Sequence, residues 1–217
     1  HMALENLTVL DLTRVLAGPF CTMMLADMGA NVIKIEVPKG GDDTRSYPPF
    51  RAENLKGERE SVYFANINRN KKGITLNLKS PEGKEIFKEL VKKADIVVEN
   101  YRPGVMDKLG LGYDVLKEIN PRIIYAAVSG FGCYGPYHLR PGYDILAQAM
   151  GGMMSITGSK GGEPTRAGSA LGDILGGLHV TIGILAAVNA RTITGKGQRV
   201  DVSLMDSMIA ATENTAL

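Results

Sequence analysis

Residues 8–37 read TVLDLTRVLAGPFCTMMLADMGANVIKIEV. Thr8 to Thr13 is short and rich in β-branched and aliphatic side chains, which suits a strand. Arg14-Val-Leu-Ala-Gly18-Pro19 is a turn whose proline is placed to open a helix. Phe20 to Met28 supplies that helix, Gly29 stops it, and Val32 to Val37 is a second strand. Strand, helix and strand in so short a span make a βαβ unit. Such a unit implies parallel strands joined by a right-handed crossover.

The alternation continues outward. Pro38 to Glu60 is a long polar loop, and loops of that length tend to be functional or mobile. Tyr63 to Asn70 leads into Asn70-Lys-Lys-Gly and an alternating strand, Ile74 to Leu78. Ser80-Pro81-Glu82 is an N-cap followed by a first-turn proline. The helix it opens runs to about Lys93 with Ile86, Phe87, Leu90 and Val91 on one face. Asp95 to Glu99 and Ile123 to Ser129 read as buried strands, with short helices at Met106 to Leu109 and Tyr113 to Ile119 between them. Tyr143 to Met150 is helical, and Arg199 to Leu204 is a last strand entering a helix. The fold class is α/β: a doubly wound, mostly parallel sheet with helices on both faces, Rossmann-like. Ligands bind such sheets at the carboxyl ends of the strands. Three loops there carry chemistry: Arg14 to Pro19, Asn100 to Gly104, and Gly130 to Asp144.

Length and charge narrow the function. The 217 residues suffice for one α/β domain or a large piece of one, and residues 3–217 are read as that domain. His1 and Met2 read as an expression scar. A net charge of +2 gives no ground for bulk nucleic-acid binding. The 2 cysteines, Cys21 and Cys133, form no CxxC and are expected as reduced thiols in a cytoplasmic protein. The chain ends on a strand entering a helix with no closing signal, so it is expected to be part of a longer protein.

Arg166 to Arg191 reads RAGSALGDILGGLHVTIGILAAVNAR. A small-residue loop enters a long apolar helix, and one carboxylate, Asp173, stands at the junction. Helix-start N–H groups and the helix dipole favour an ionised acid there. The local pattern alone favours a plain helix cap. Glycines 168, 172, 176 and 177 leave room beside the carboxylate for a ligand or another chain. The apolar run from Asp173 to Asn189 is interrupted by His179 and short for a membrane span, so it is expected as a core helix.

Other constellations are weaker. Gly130-Phe-Gly-Cys-Tyr-Gly135 matches GxGxxG after a strand, but Pro136 and Tyr137 follow where a helix should open, and no acid-ended strand comes next. A dinucleotide site is therefore not expected. Lys71, Lys72, Lys79, Arg102 and Lys108 flank strand ends, where they either meet phosphates or lie solvated. No HExxH, CxxC or His-rich spacing exists, so no protein metal site is expected. His179 reads as a satisfied core residue.

Together DLTRVLAGP, GANVIKIEVP, NRNKKGITLNLKSPEG, VENYRPGVMDKLGL, INPRIIYAAVSGFGCYGP, RPGYD and TGKGQRVDVSLMDS resemble the class III CoA-transferases, the superfamily of formyl-CoA transferase, carnitine CoA-transferase and methylacyl-CoA racemase. The resemblance covers nearly the whole chain in order. It implies the N-terminal part of a large CoA-binding domain, an interlocked homodimer for the full protein, and an acyl-CoA and a carboxylic acid as substrates. No permanently bound cofactor, nucleic acid or membrane is implied. The family's catalytic aspartate falls on Asp173, a carboxylate nucleophile forming aspartyl anhydride and aspartyl-CoA thioester intermediates. CoA-contacting positions fall on Leu16, Ala17, Leu76, Asn77, Lys79, Asn100, Tyr101, Arg102, Lys108, Tyr143 and Asp144. Val37 stands where the family often has a basic residue, so other cations must meet the CoA phosphates. Leu16 replaces a polar residue of formyl-CoA transferase, which puts formyl and oxalyl specificity in doubt. The racemase branch has His in the segment matching RPGYD. Tyr143 stands there in this chain, and a phenol is a poor base at neutral pH. Transfer is expected over racemisation, with the racemase and a non-catalytic CoA-binding fragment as alternatives.

Overall fold

The computed structural model describes residues 1–215. Its elements alternate along the chain: β1 (Thr8–Asp11), α1 (Ala17–Asp27), β2 (Asn31–Glu36), α2 (Val62–Ile67), β3 (Lys72–Thr75), α3 (Pro81–Lys93), β4 (Ile96–Glu99), α4 (Val105–Lys108), α5 (Tyr113–Ile119), β5 (Ile124–Ser129), α6 (Asp144–Met150), α7 (Leu171–Thr194), β6 (Arg199–Ser203) and α8 (Leu204–Ala211). The strands form a single sheet in the order β3-β2-β1-β4-β5-β6. Every pairing is parallel.

Side-chain alternation along the strands divides the core into two layers. Val9, Val32, Ile96, Val98, Ala126 and Val128 face α1, α7 and α8. Leu10, Ile35, Val97, Tyr125 and Ala127 face α3 and α5, where Phe87, Val91 and Leu116 are buried. Sheet order reverses between β1 and β4, and ligands of open α/β sheets bind at such a point.

β3 departs from expectation. It covers Lys72–Thr75 at the sheet edge, and all of its residues are exposed. Beyond it Leu78 turns into the core, and Ser80 caps α3 by accepting the Gly83 N–H. An exposed edge strand carries no alternating signal, whereas Ile74 to Leu78 mixed its last residues with the turn that follows.

α7 is longer than its apolar run suggested. Leu171–Thr194 is long and apolar enough, by length and composition, to cross a membrane. It packs against α1, α8, β5 and β6 instead. Of the glycines expected to leave room, Gly172, Gly176 and Gly177 are filled by the chain itself, while Gly168 has open space beside it. A Cβ on Gly172 would meet Asp144 and Ala147, on Gly176 Leu204, and on Gly177 the Ala17 carbonyl and Phe20. Gly130 is likewise matched to Gly142, whose backbone lies directly against it, so the GxGxxG turn seats a loop of the same chain.

Candidate active site

A cavity of ≈ 590 Å³ opens at the carboxyl ends of β1, β4 and β5. Arg14 to Ala17 line it from the β1–α1 turn, Asn100 to Pro103 from the loop after β4, and Val128 to Gly130 from the end of β5. Arg140 to Ile145 enter at the start of α6, and Asp173 from the first turn of α7. Of the residues the sequence singled out, Leu16, Ala17, Asn100, Tyr101, Arg102, Tyr143, Asp144 and Asp173 meet here. Leu76, Asn77, Lys79 and Lys108 lie outside the cavity, on the loop after β3 and the end of α4.

Asp173 is not the cap of α7. Asp144 Oδ1 takes that part, accepting the N–H groups of Gly172 at 2.7 Å and Asp173 at 3.1 Å. Its other oxygen accepts from Gln148 Nε2 at 2.8 Å. With the helix donors engaged by Asp144, the Asp173 carboxylate receives no hydrogen bond among the described residues. Burial, and then the charge of Asp144, push its pKa up to about 7. The expectation of a carboxylate kept ionised by the helix start is therefore overturned. Desolvation and a like charge outweigh the dipole.

The surroundings of Asp173 are specific. Gly177 lies one turn along α7, on the face Asp173 shares, and a Cβ there would sit 2.8 Å from the Ala17 carbonyl oxygen. The start of α1 thus abuts the Asp173 face of α7. First-turn N–H groups of a helix have no intrahelical acceptor, so they form an anion-binding end. The Tyr63 phenol is pushed up to about 12 by burial and by the charge of Asp173, which keeps it a neutral donor.

Not every residue at the cavity is free to bind. Asn100 spends its amide on the backbone of Arg14, donating to the carbonyl at 2.7 Å and accepting the N–H at 2.9 Å. Lys71 is buried against Asp11 at 3.1 Å, which removes it from any phosphate contact. Lys72 donates to Asn31 Oδ1 at 2.9 Å. His179 meets Ser207 at 2.9 Å, as a satisfied residue should.

Several lining groups escaped the sequence reading. Arg140 and Arg166 join Arg14 and Arg102, so four arginines line the cavity. Ser129 Oγ is buried there with no partner among the described residues. Glu99, at the end of β4 and outside the cavity lining, is buried and pushed up to about 7 by desolvation, while its carboxylate accepts the Tyr101 N–H at 2.9 Å. Only the wide separation of these residues in sequence hid them. A polar residue closing an apolar strand was the available signal for Glu99 and Ser129.

Residues 4–217 match the family model described as CoA-transferase family III. The chain belongs to CoA-transferase family III. An acyl-CoA transferase from Fusarium pseudograminearum is 50% identical over 99% of this chain and 48% of its own length. A succinyl-CoA:mesaconate CoA-transferase from Haloarcula marismortui is 48% identical over 98% of this chain and 54% of its own. The crystal structure of a CAIB/BAIF family protein from Brucella suis superposes with a TM-score of 0.94 at 45% identity, covering 99% of this chain and 56% of that one. The family III chain spans about half the length of the curated relatives it matches.

Proposed function

We propose that the protein moves CoA from an acyl-CoA to a carboxylic acid, with Asp173 as the nucleophile. The observation that carries this reading is a desolvated carboxylate, free of hydrogen bonds among the described residues, facing a cavity lined by four arginines. An acid whose pKa is raised is more basic and therefore more nucleophilic when ionised.

The steps balance without a net proton. Asp173 attacks the thioester carbonyl carbon, the C–S bond breaks, and a mixed anhydride forms with release of CoA thiolate. The thiolate attacks the aspartyl carbonyl, giving an aspartyl-CoA thioester and freeing the donor's carboxylate. The acceptor carboxylate then attacks the aspartyl carbonyl, and CoA leaves once more as thiolate. Its attack on the acceptor's acyl carbon yields the new acyl-CoA and restores Asp173. Oxyanions in these steps are met by N–H groups at the start of α1.

Arg14, Arg102, Arg140 and Arg166 suit the phosphates of CoA and the carboxylate of the acceptor. Relatives named for mesaconate, oxalate and glutarate support a short dicarboxylic acid as acceptor. No histidine is among the lining residues described, and Tyr143 stands in the RPGYD segment, which favours transfer over α-proton exchange. Leu178, Ile182 and Ile209 expose apolar surface on α7 and α8, as the expected homodimer requires. Cys21 and Cys133 are free thiols, in keeping with a cytoplasmic enzyme.

The test is CoA exchange in the complete protein across a panel of acyl-CoAs and dicarboxylates. Asp173→Ala should abolish exchange and spare CoA binding. Exchange that survives the substitution refutes the assignment.

A further inference from the structure

The turn between β1 and α1 carries a conformational anomaly. Val15 has φ 69°, in the left-handed region where a β-branched side chain crowds its own backbone. Leu16 and Ala17 follow at once, and both line the cavity of Asp173. A backbone held in such a state persists only when its surroundings over-determine it, and strain of this kind gathers at functional sites.

The surroundings here are a buried ion pair. Lys34 projects from β2 with its side chain 3% exposed, and that of Asp42 is 0% exposed. Lys34 Nζ donates to Asp42 Oδ2 at 2.9 Å and to the Thr13 carbonyl at 2.8 Å. Asp42 Oδ1 accepts the Val15 N–H at 3.2 Å, along with the Thr44 N–H at 3.0 Å and hydroxyl at 2.8 Å. The ammonium therefore grips the carbonyl that enters the turn, and the carboxylate grips the amide of the strained residue. Neither side chain reaches the cavity. A buried pair is weak as a source of stability, because desolvation offsets the attraction. Its value here is geometric.

We propose that the Lys34–Asp42 pair is a positioning device. It holds Val15 in the left-handed conformation and so presents the backbone at Leu16 and Ala17 to the acyl-CoA facing Asp173. Its effect on rate rests on the CoA-transfer reading, whereas its effect on the turn does not.

The test is the double variant Lys34→Met/Asp42→Ala in the complete protein, with Val15→Gly added in a third variant. Glycine adopts the left-handed conformation without strain, so it should restore a turn that has lost its clamp. The double variant should lose about 10- to 100-fold in kcat while the KM for acyl-CoA changes less than about 3-fold. Amide hydrogen exchange at Val15, Leu16 and Ala17 should quicken. Adding Val15→Gly should recover kcat by at least about 5-fold. Unchanged exchange at those amides, or no recovery with glycine, overturns the proposal. If the unaltered protein transfers no CoA, the functional reading fails and the exchange data alone decide the device. If the double variant does not fold, Lys34→Met, which releases the Thr13 carbonyl, carries the same readouts.

Discussion

Asp144 Oδ1 accepts the backbone N–H of Asp173 at 3.1 Å, and so caps the helix on which the proposed nucleophile stands. The contact fixes the first turn of α7 and brings a second negative charge close to Asp173. Burial raises the pKa of Asp173 to about 7, with the Asp144 charge as the second cause. kcat/KM should therefore rise with pH through an acid limb near 7 as Asp173 ionises. Asp144→Asn keeps an acceptor for the cap but removes the charge, and should move that limb to lower pH. A pH–rate profile of the two proteins checks both statements, and a limb near pH 4 in the parent contradicts them.

Stability should vary with pH in a definite sense. Asp173 moves from an ordinary 3.8 to about 7, and Glu99 from 4.5 to about 7. Over that interval the folded protein holds protons that the unfolded chain has released. These two groups therefore contribute stability fully at acid pH and lose it as the pH rises towards about 7. Asp173→Asn should raise stability at pH 8 by roughly 1–3 kcal/mol after allowance for partial solvent access, and by almost nothing near pH 4. Denaturant melts at the two pH values measure it.

Lys71 and Asp11 form a buried pair, with side chains 2% and 0% exposed. Desolvation draws the lysine below its ordinary range, while Asp11 opposes it by favouring the ammonium. Lys71→Met leaves the Asp11 carboxylate buried without that partner. It should cost about 3–5 kcal/mol, the range for breaking one side of a buried pair. Unchanged thermal stability would return Lys71 to the role of a surface cation.

Asn100 joins two of the three loops at the cavity through its paired contacts with Arg14. Asn100→Ala should cost about 1–2 kcal/mol of stability, as expected for two lost hydrogen bonds at an accessible site. It should also weaken CoA binding, because Arg14 and Tyr101 then lose their mutual register. Asn100→Asp, which cannot donate to the carbonyl, should behave similarly, and calorimetric CoA titration compares them.

Much of this architecture was legible beforehand. β1, α1 and β2 declare themselves because their buried faces impose period and punctuation on the sequence. β3 does not, since its edge residues Lys72–Thr75 face solvent and show no pattern. The place of Asp173 at the start of α7 was legible, yet its electrostatic state was not. The cap that displaced it comes from Asp144, on a separate helix, rather than from the residue before α7. Lys71, near a strand end, read as a surface cation or phosphate ligand, whereas folding buries it against Asp11, and Lys34 inside β2 is buried against Asp42. Pairings of that kind depend on which loops cross the end of the sheet, and no local spacing encodes them.

The most direct measurement is peptide-resolved mass spectrometry of the complete protein, quenched during turnover with an acyl-CoA and no acceptor acid. The account predicts a CoA adduct, labile to hydroxylamine, on the peptide that contains Asp173. An adduct on any other residue, or steady CoA transfer with no covalent species on that peptide, would contradict it.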